Sequence, residues 1–267
     1  MSGEKIVIAV FTGTGNTLVM AAALADELRA LGRDVSLFPM ERAAKFDLPK
    51  GAALGLAMPV ACFSTYPTVW RFIDSLPEGG GREAFLLATM GGMGAGMEGP
   101  IRRVLEGRGY SPGGALLVRM PGNYGHEKLD AEENGLRAEH GRESVRAFAR
   151  KLNDGGAVWP YGVPIVSNTM ASLAHGQAPW RTFRRMFPLA LDAESCTDCG
   201  LCATLCPEGN IAKDEGRYSL GGRCQSCQRC AAFCPSNAIR VPGKSYAQYR
   251  GAPLESILSL ISGDGAV

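Results

Sequence analysis

Over about the first 150 positions, short apolar runs alternate with stretches of helical periodicity. Lys5–Phe11 (KIVIAVF) is continuous enough to predict a buried strand, and Thr17–Leu31 an amphipathic helix that Gly32 stops. Further strands are expected at Asp34–Met40, Ala52–Met58, Glu83–Thr89 and Ala115–Met120. Between them fall helices around Thr68–Ser75, bounded by a proline, and near Met97–Gly107, with a polar helix near Glu139–Asn153 closing the series. Strands this apolar are buried on both faces, so the pattern predicts an α/β fold: a parallel sheet with helices on either side.

The rhythm breaks at Gly155–Leu191, which is Gly-, Pro- and Ser-rich before it turns aromatic and basic at Trp180–Phe187 (WRTFRRMF). It is expected to be a linker with one packed helix; Arg181, Arg184 and Arg185 could alternatively dock a partner or touch anionic lipid. From Asp192 regular periodicity vanishes and cysteine dominates. The organisation expected is therefore 1–154, a linker 155–191, a cysteine-rich unit 192–250 and a mildly amphipathic tail 251–267.

Composition narrows the class. The chain has 267 residues, 46% hydrophobic and 20% charged, as for a globular protein, and its net charge of +2 points to no nucleic-acid partner. No apolar run approaches the ~20 residues that cross a bilayer. Met1–Lys5 has no secretion-signal character, so a cytoplasmic location is expected.

Of nine cysteines, eight lie between Cys196 and Cys234. In a long chain without a signal, such density favours metal over disulfides. The first run is Cys196-x2-Cys199-x2-Cys202-x3-Cys206-Pro207, and the second Cys224-x2-Cys227-x2-Cys230-x3-Cys234-Pro235. Structural zinc normally uses pairs of ligands rather than two such quartets, so iron–sulfur chemistry is preferred. Asn210-Ile211 and Ala238-Ile239 continue the internal repeat. Gly200 and Gly222 are expected to allow close backbone approach to sulfide. Over Asp192–Val241 the chain resembles bacterial-type two-cluster ferredoxins. That resemblance implies two [4Fe-4S] clusters with the last cysteine of each run crossing over: Cys196, Cys199, Cys202 and Cys234 for cluster one, and Cys224, Cys227, Cys230 and Cys206 for cluster two.

After the first strand comes Thr12-Gly13-Thr14-Gly15-Asn16-Thr17. Backbone N–H groups freed by glycine, a helix N-terminus and three hydroxyls suit a phosphate. No lysine makes it a nucleotide-hydrolysing loop, and Leu18 stands where a dinucleotide loop has its third glycine. Glu41 lies too far along to read securely as a ribose-binding acid. A terminal phosphate monoester held by neutral donors fits best.

Residues 4–153 thus resemble flavodoxins, and the whole chain resembles flavodoxin–ferredoxin fusion proteins of anaerobes. The resemblance implies strand order 2-1-3-4-5 and FMN at the carboxyl ends of the strands. Beyond the phosphate loop, FMN contacts are implied for Pro59, Val60, Ala61, Cys62, Phe63 and Ser64, for Thr89, Met90, Gly91 and Gly92, and for Asn123 and Tyr124. The loop after strand four offers no ring to cover the flavin, so Phe63, Tyr66 or Tyr124 is expected to supply one. Cys62 reads either as a small buried hydrophobe or as a thiol beside the flavin. His126, His140 and His175 form no metal or catalytic pattern.

The functional expectation is an electron carrier linking two [4Fe-4S] clusters, FMN and a redox partner protein. An FMN-dependent reductase of a small molecule or protein-bound cofactor is the alternative. A homodimer stays open.

Overall fold

The computed structural model describes residues 4–62, 64–92, 96–122, 129–161 and 177–263. Five apolar segments form one sheet: β1 (Lys5–Val10), β2 (Asp34–Pro39), β3 (Ala53–Pro59), β4 (Glu83–Met90) and β5 (Ser111–Arg119). Their order is β2-β1-β3-β4-β5 and every pairing is parallel, the flavodoxin-like arrangement expected from the sequence. The chain order reverses between β1 and β3, which opens a crevice at the carboxyl ends of those strands.

Helices cover both faces. On one, α1 (Asn16–Ala30) and α4 (Ala131–Asn153) bury Leu24, Leu28, Val145 and Phe148 against Ile6, Ile8 and Phe85. On the other, α2 (Pro67–Asp74) and α3 (Glu98–Gly107) bury Trp70, Phe72, Ile101 and Leu105. Each such side chain contributes roughly 1.5–3 kcal/mol through burial, which is why the sheet needs both layers.

Two elements run longer than their periodicity predicts. The helix expected at Glu139–Asn153 starts at Ala131, because the Asp130 side chain accepts the Glu133 N–H at 2.9 Å and caps it. Its first turns face solvent, so no apolar stripe marks them. The strand expected at Ala115–Met120 starts at Ser111; Pro112 is tolerated because β5 is an edge strand, and the register shifts between Ala84 and Phe85.

The second half is built from small pieces. Helix α5 (Gln177–Met186) precedes β6 (Ala190–Leu191), α6 (Leu201–Leu205), the hairpin β7 (Ile211–Asp214) and β8 (Arg217–Leu220), α7 (Arg229–Phe233) and β9 (Ile239–Arg240). β6 pairs antiparallel with β9. Glu215 and Gly216 carry the positive φ of 45° and 81° that lets two residues turn the hairpin. The chain ends in α8 (Leu254–Ser262), which lies beside β2 and buries Ile257 and Leu260. Leu205, Phe233, Ile257 and Leu260 share one apolar layer with Leu18 and Val10, so the cysteine-bearing unit is packed onto the α1 side of the sheet. Among the described residues no helix is long and apolar enough to cross a membrane.

Candidate functional site

The turn from β1 into α1 begins with Thr12, whose hydroxyl accepts the Gly15 N–H at 3.2 Å. Gly15 has φ of 108° and no side chain caps α1, so the helix presents an uncapped N-terminus at Asn16 and Thr17. Thr17 shares a hydroxyl–hydroxyl bond of 2.7 Å with Thr89, and the Asn16 amide donates to the Pro121 carbonyl at 3.0 Å. These bonds tie the loop to the ends of β4 and β5, across the crevice.

A pocket with about 430 Å³ of atom-free space opens there. It brings together Thr12, Gly13, Thr14, Asn16, Thr17, Pro59, Val60, Thr89, Met90 and Gly91 from the sequence reading. Tyr66, Met120, Pro121 and Cys227 complete its wall. None of these residues is charged. A dianionic monoester would be held here by neutral donors and the helix end alone, and the donor set fits that group.

Other expected contacts lie elsewhere. Gly15 packs outward, where a Cβ would meet the Ala252 Cβ at 2.7 Å. Ala61 and Ser64 bridge each other, and Ser64 accepts the Trp70 indole N–H at 3.1 Å. Cys62 has φ of 48°, is half-buried, and burial pushes its thiol above the ordinary range. Gly92 is exposed and lies off the pocket wall. Phe63, Asn123 and Tyr124, like His126 and His175, lie outside the described residues. Among the described residues, Tyr66 is the candidate ring that lines the pocket. It packs between Phe11 and the buried Trp180, at centroid distances of 5.3 Å and 5.0 Å.

The cysteines surround two further cavities. One is walled by Cys196, Cys199, Cys202 and Cys234, the other by Cys206, Cys224, Cys227 and Cys230. Each takes three cysteines from one run and one from the other, the crossed sets that the ferredoxin resemblance implies. The repeat extends to the backbone. The second run lies 28 positions after the first, and positive φ recurs at that offset in Asp198 and Ser226, Gly200 and Gln228, and Gly209 and Asn237. N–H to sulfur bonds repeat likewise: Asp198 to Cys196 and Ser226 to Cys224 at 3.5 and 3.3 Å, Asn210 to Cys206 and Ala238 to Cys234 at 3.3 and 3.2 Å.

Each quartet lines a hollow. Burial pushes the Cys227 thiol up to about 12 and those of Cys202 and Cys230 upward as well. At Cys234 burial is outweighed by the Ala238 N–H and the Ser236 hydroxyl, and the thiol is lowered. Thiolates in such desolvated positions would need a compensating positive charge. Of the two glycines expected near sulfide, Gly200 leaves space for the Tyr218 hydroxyl, 2.7 Å from where a Cβ would be, and Gly222 has open space around it.

The pocket and the second cysteine cavity share a residue. Cys227 walls both, and its backbone carbonyl occupies the place a Cβ on Gly13 would need. Arg229 fixes this contact. It is 1% exposed, and its Nε and Nη2 donate to the Thr12 carbonyl at 3.0 and 2.6 Å, its Nη1 to the Leu205 carbonyl at 3.2 Å, and it pairs with Glu41. Glu41, weighed from sequence as a ribose contact, is thus a partner of Arg229. On the outer side Tyr249 donates to Asn16 Oδ1 at 2.6 Å and the Gly251 N–H to the Thr14 carbonyl at 2.7 Å. Helix α5 packs the cysteine unit against α2: Trp180 is buried and Arg184 donates to the Cys224 carbonyl at 2.7 Å, while Arg181 and Arg185 are exposed.

Comparisons with known proteins gave the following. The family described as 4Fe-4S binding domain matches residues 189–212. No curated protein matches the chain. Among solved structures, a flavodoxin from the domain Archaea is 15% identical, over 56% of this chain and 98% of its own, with a TM-score of 0.39. Megasphaera elsdenii flavodoxin in its two-electron reduced form is 20% identical, over 53% and 98%, with a TM-score of 0.37. Rubredoxin oxygen:oxidoreductase from the anaerobe Desulfovibrio gigas is 17% identical over 58% of this chain but only 37% of its own, with a TM-score of 0.41. At such scores the likenesses add nothing to what the strand order carries. The chain joins a flavodoxin-like sheet to a region matched by the 4Fe-4S binding domain family.

Proposed function

We propose that this protein is a flavo-iron–sulfur electron carrier, with FMN in the phosphate-loop pocket and a [4Fe-4S] cluster in each cysteine cavity. When bound, each cluster would exchange one electron and FMN one or two. Thr12, Thr14 and Thr17, with the N-terminus of α1, would hold the phosphate, and Tyr66 would flank the ring system. Cys206, Cys224, Cys227 and Cys230 would hold the cluster beside the flavin; Cys196, Cys199, Cys202 and Cys234 would hold the outer one.

The observation that carries this reading is the double role of Cys227, which walls both the pocket and the inner cavity. Two redox sites built back to back exchange electrons within one chain, independent of diffusional encounter. At the other end Cys199 is exposed, whereas Cys227 and Cys230 are buried. A redox partner protein would therefore meet the outer cavity at Cys199.

Iron, sulfide and flavin analysis of anaerobically purified protein, followed by a stepwise reductive titration, tests the assignment. The reading predicts about eight irons per chain, as two four-iron clusters require, and one FMN, with all centres reduced in one titration. Eight irons without FMN would remove the flavin half of the proposal. Four irons would remove one cluster.

A further inference from the structure

We propose a binding site for a small oxyanion, a carboxylate or phosphate, in the pocket between α2, α5 and the turn before Cys224. The pocket, open to solvent, spans about 510 Å³ of atom-free space and is lined by Arg71, Arg184, Arg223, Trp180, Glu208 and Gln225. Three guanidinium groups thus face one carboxylate. Arg71 pairs with Glu208, Arg184 donates to the Cys224 carbonyl at 2.7 Å, and Arg223 donates to the Gly209 carbonyl at 2.9 Å. A guanidinium carries five N–H donors in a fork that matches carboxylate and phosphate, so these bonds leave donors to spare. The Trp180 indole adds a flat apolar wall for the body of an organic anion.

Gln225 forms the inner wall and is 3% exposed. Its Oε1 accepts the Thr68 N–H at 3.2 Å, while the Thr68 hydroxyl donates to Glu208 at 2.5 Å, so Glu208 is held by both Thr68 and Arg71 and leaves Arg184 and Arg223 as the cations without a carboxylate partner in the pocket wall.

The site also has a redox consequence. Cys224 and Gln225 wall both this pocket and the inner cysteine cavity. An electron added there repels a bound anion, and by linkage the anion makes reduction harder. This coupling rests on the proposed cluster assignment; the binding site does not.

The test is calorimetric titration of oxidised holoprotein, of measured iron content, with succinate and separately with inorganic phosphate. Saturable one-site binding is expected for at least one probe, and the tighter arm names the oxyanion. Arg223→Gln should weaken it about tenfold, the cost of one lost charged hydrogen bond. Arg181→Gln, on the same helix but outside the pocket wall, should leave it unchanged. Binding to reduced protein should be about tenfold weaker, equivalent to a 59 mV fall in a one-electron potential. No saturable binding of either probe, or equal binding by Arg223→Gln, overturns the site. Equal affinity in both redox states overturns the coupling alone. Arg223 is exposed, so its variant is expected to fold and keeps the test decisive.

Discussion

The carbonyl of Cys227 rests against Cα of Gly13, in the space a side chain at that position would fill. Gly13 therefore serves two purposes: it lines the pocket at the turn from β1 into α1, and it admits the wall of the inner cysteine cavity.

Gly13→Ala should disturb the junction before it disturbs either half. The added Cβ collides with backbone, which cannot swing aside, and such overpacking costs about 1–3 kcal/mol. The expected outcome is weakened FMN retention and slower electron exchange between flavin and clusters, with iron content unchanged. Flavin-to-iron ratios after gel filtration, and flavin reoxidation kinetics, check this.

Arg229 holds the same junction by charge. Arg229→Met removes three carbonyl bonds and strands Glu41, whose side chain is 10% exposed. Breaking a buried pair from one side costs about 3–5 kcal/mol, whereas replacing both partners costs much less. Thermal unfolding should therefore show a large drop for Arg229→Met and a partial recovery in Arg229→Met/Glu41→Gln.

The crossed quartets make an asymmetric prediction. Cys206→Ser, in the first run, should abolish the inner cluster, which is otherwise held by the second run. Cys234→Ser should abolish the outer one. Electron paramagnetic resonance of the reduced variants should show the remaining cluster without the coupling of a pair. Loss of the outer cluster on changing Cys206 would mean each run binds its own.

Tyr249 supplies a pH test of the strap that closes over Asn16. Burial raises its pKa from 10.0 to about 12, against the smaller opposing effect of its bond to Asn16. The folded-state value lies above the unfolded one, so the neutral phenol stabilises the fold. That contribution is complete below the unfolded pKa of 10.0 and is lost as pH rises through about 12. Ultraviolet titration should show a late-ionising tyrosine that Tyr249→Phe removes.

Much of this architecture is legible in the sequence, for physical reasons. Runs such as Ile6–Val10 read as buried strands and are buried strands, and the turn with glycines and hydroxyls falls where the pocket opens. The cysteine spacing marks three members of each quartet, the fourth coming from the other run. What is not legible depends on distant partners. Arg229 sits between Cys227 and Cys230, and nothing near it signals that it will reach Thr12 and Glu41, 217 and 188 positions away. Trp180 reads as part of a basic linker until Tyr66 is placed beside it. The early start of α4 was signalled by Asp130 and Glu133, a capping pair that hydrophobic periodicity alone does not weigh.

The most direct test of the central claim is flash reduction of the flavin in the intact protein, followed by absorbance of flavin and clusters at several protein concentrations. The account predicts flavin reoxidation and cluster reduction with one rate constant, the same at every concentration, because Cys227 joins both sites within one chain. A rate that scales with protein concentration, or a flavin that never equilibrates with the clusters, would contradict it.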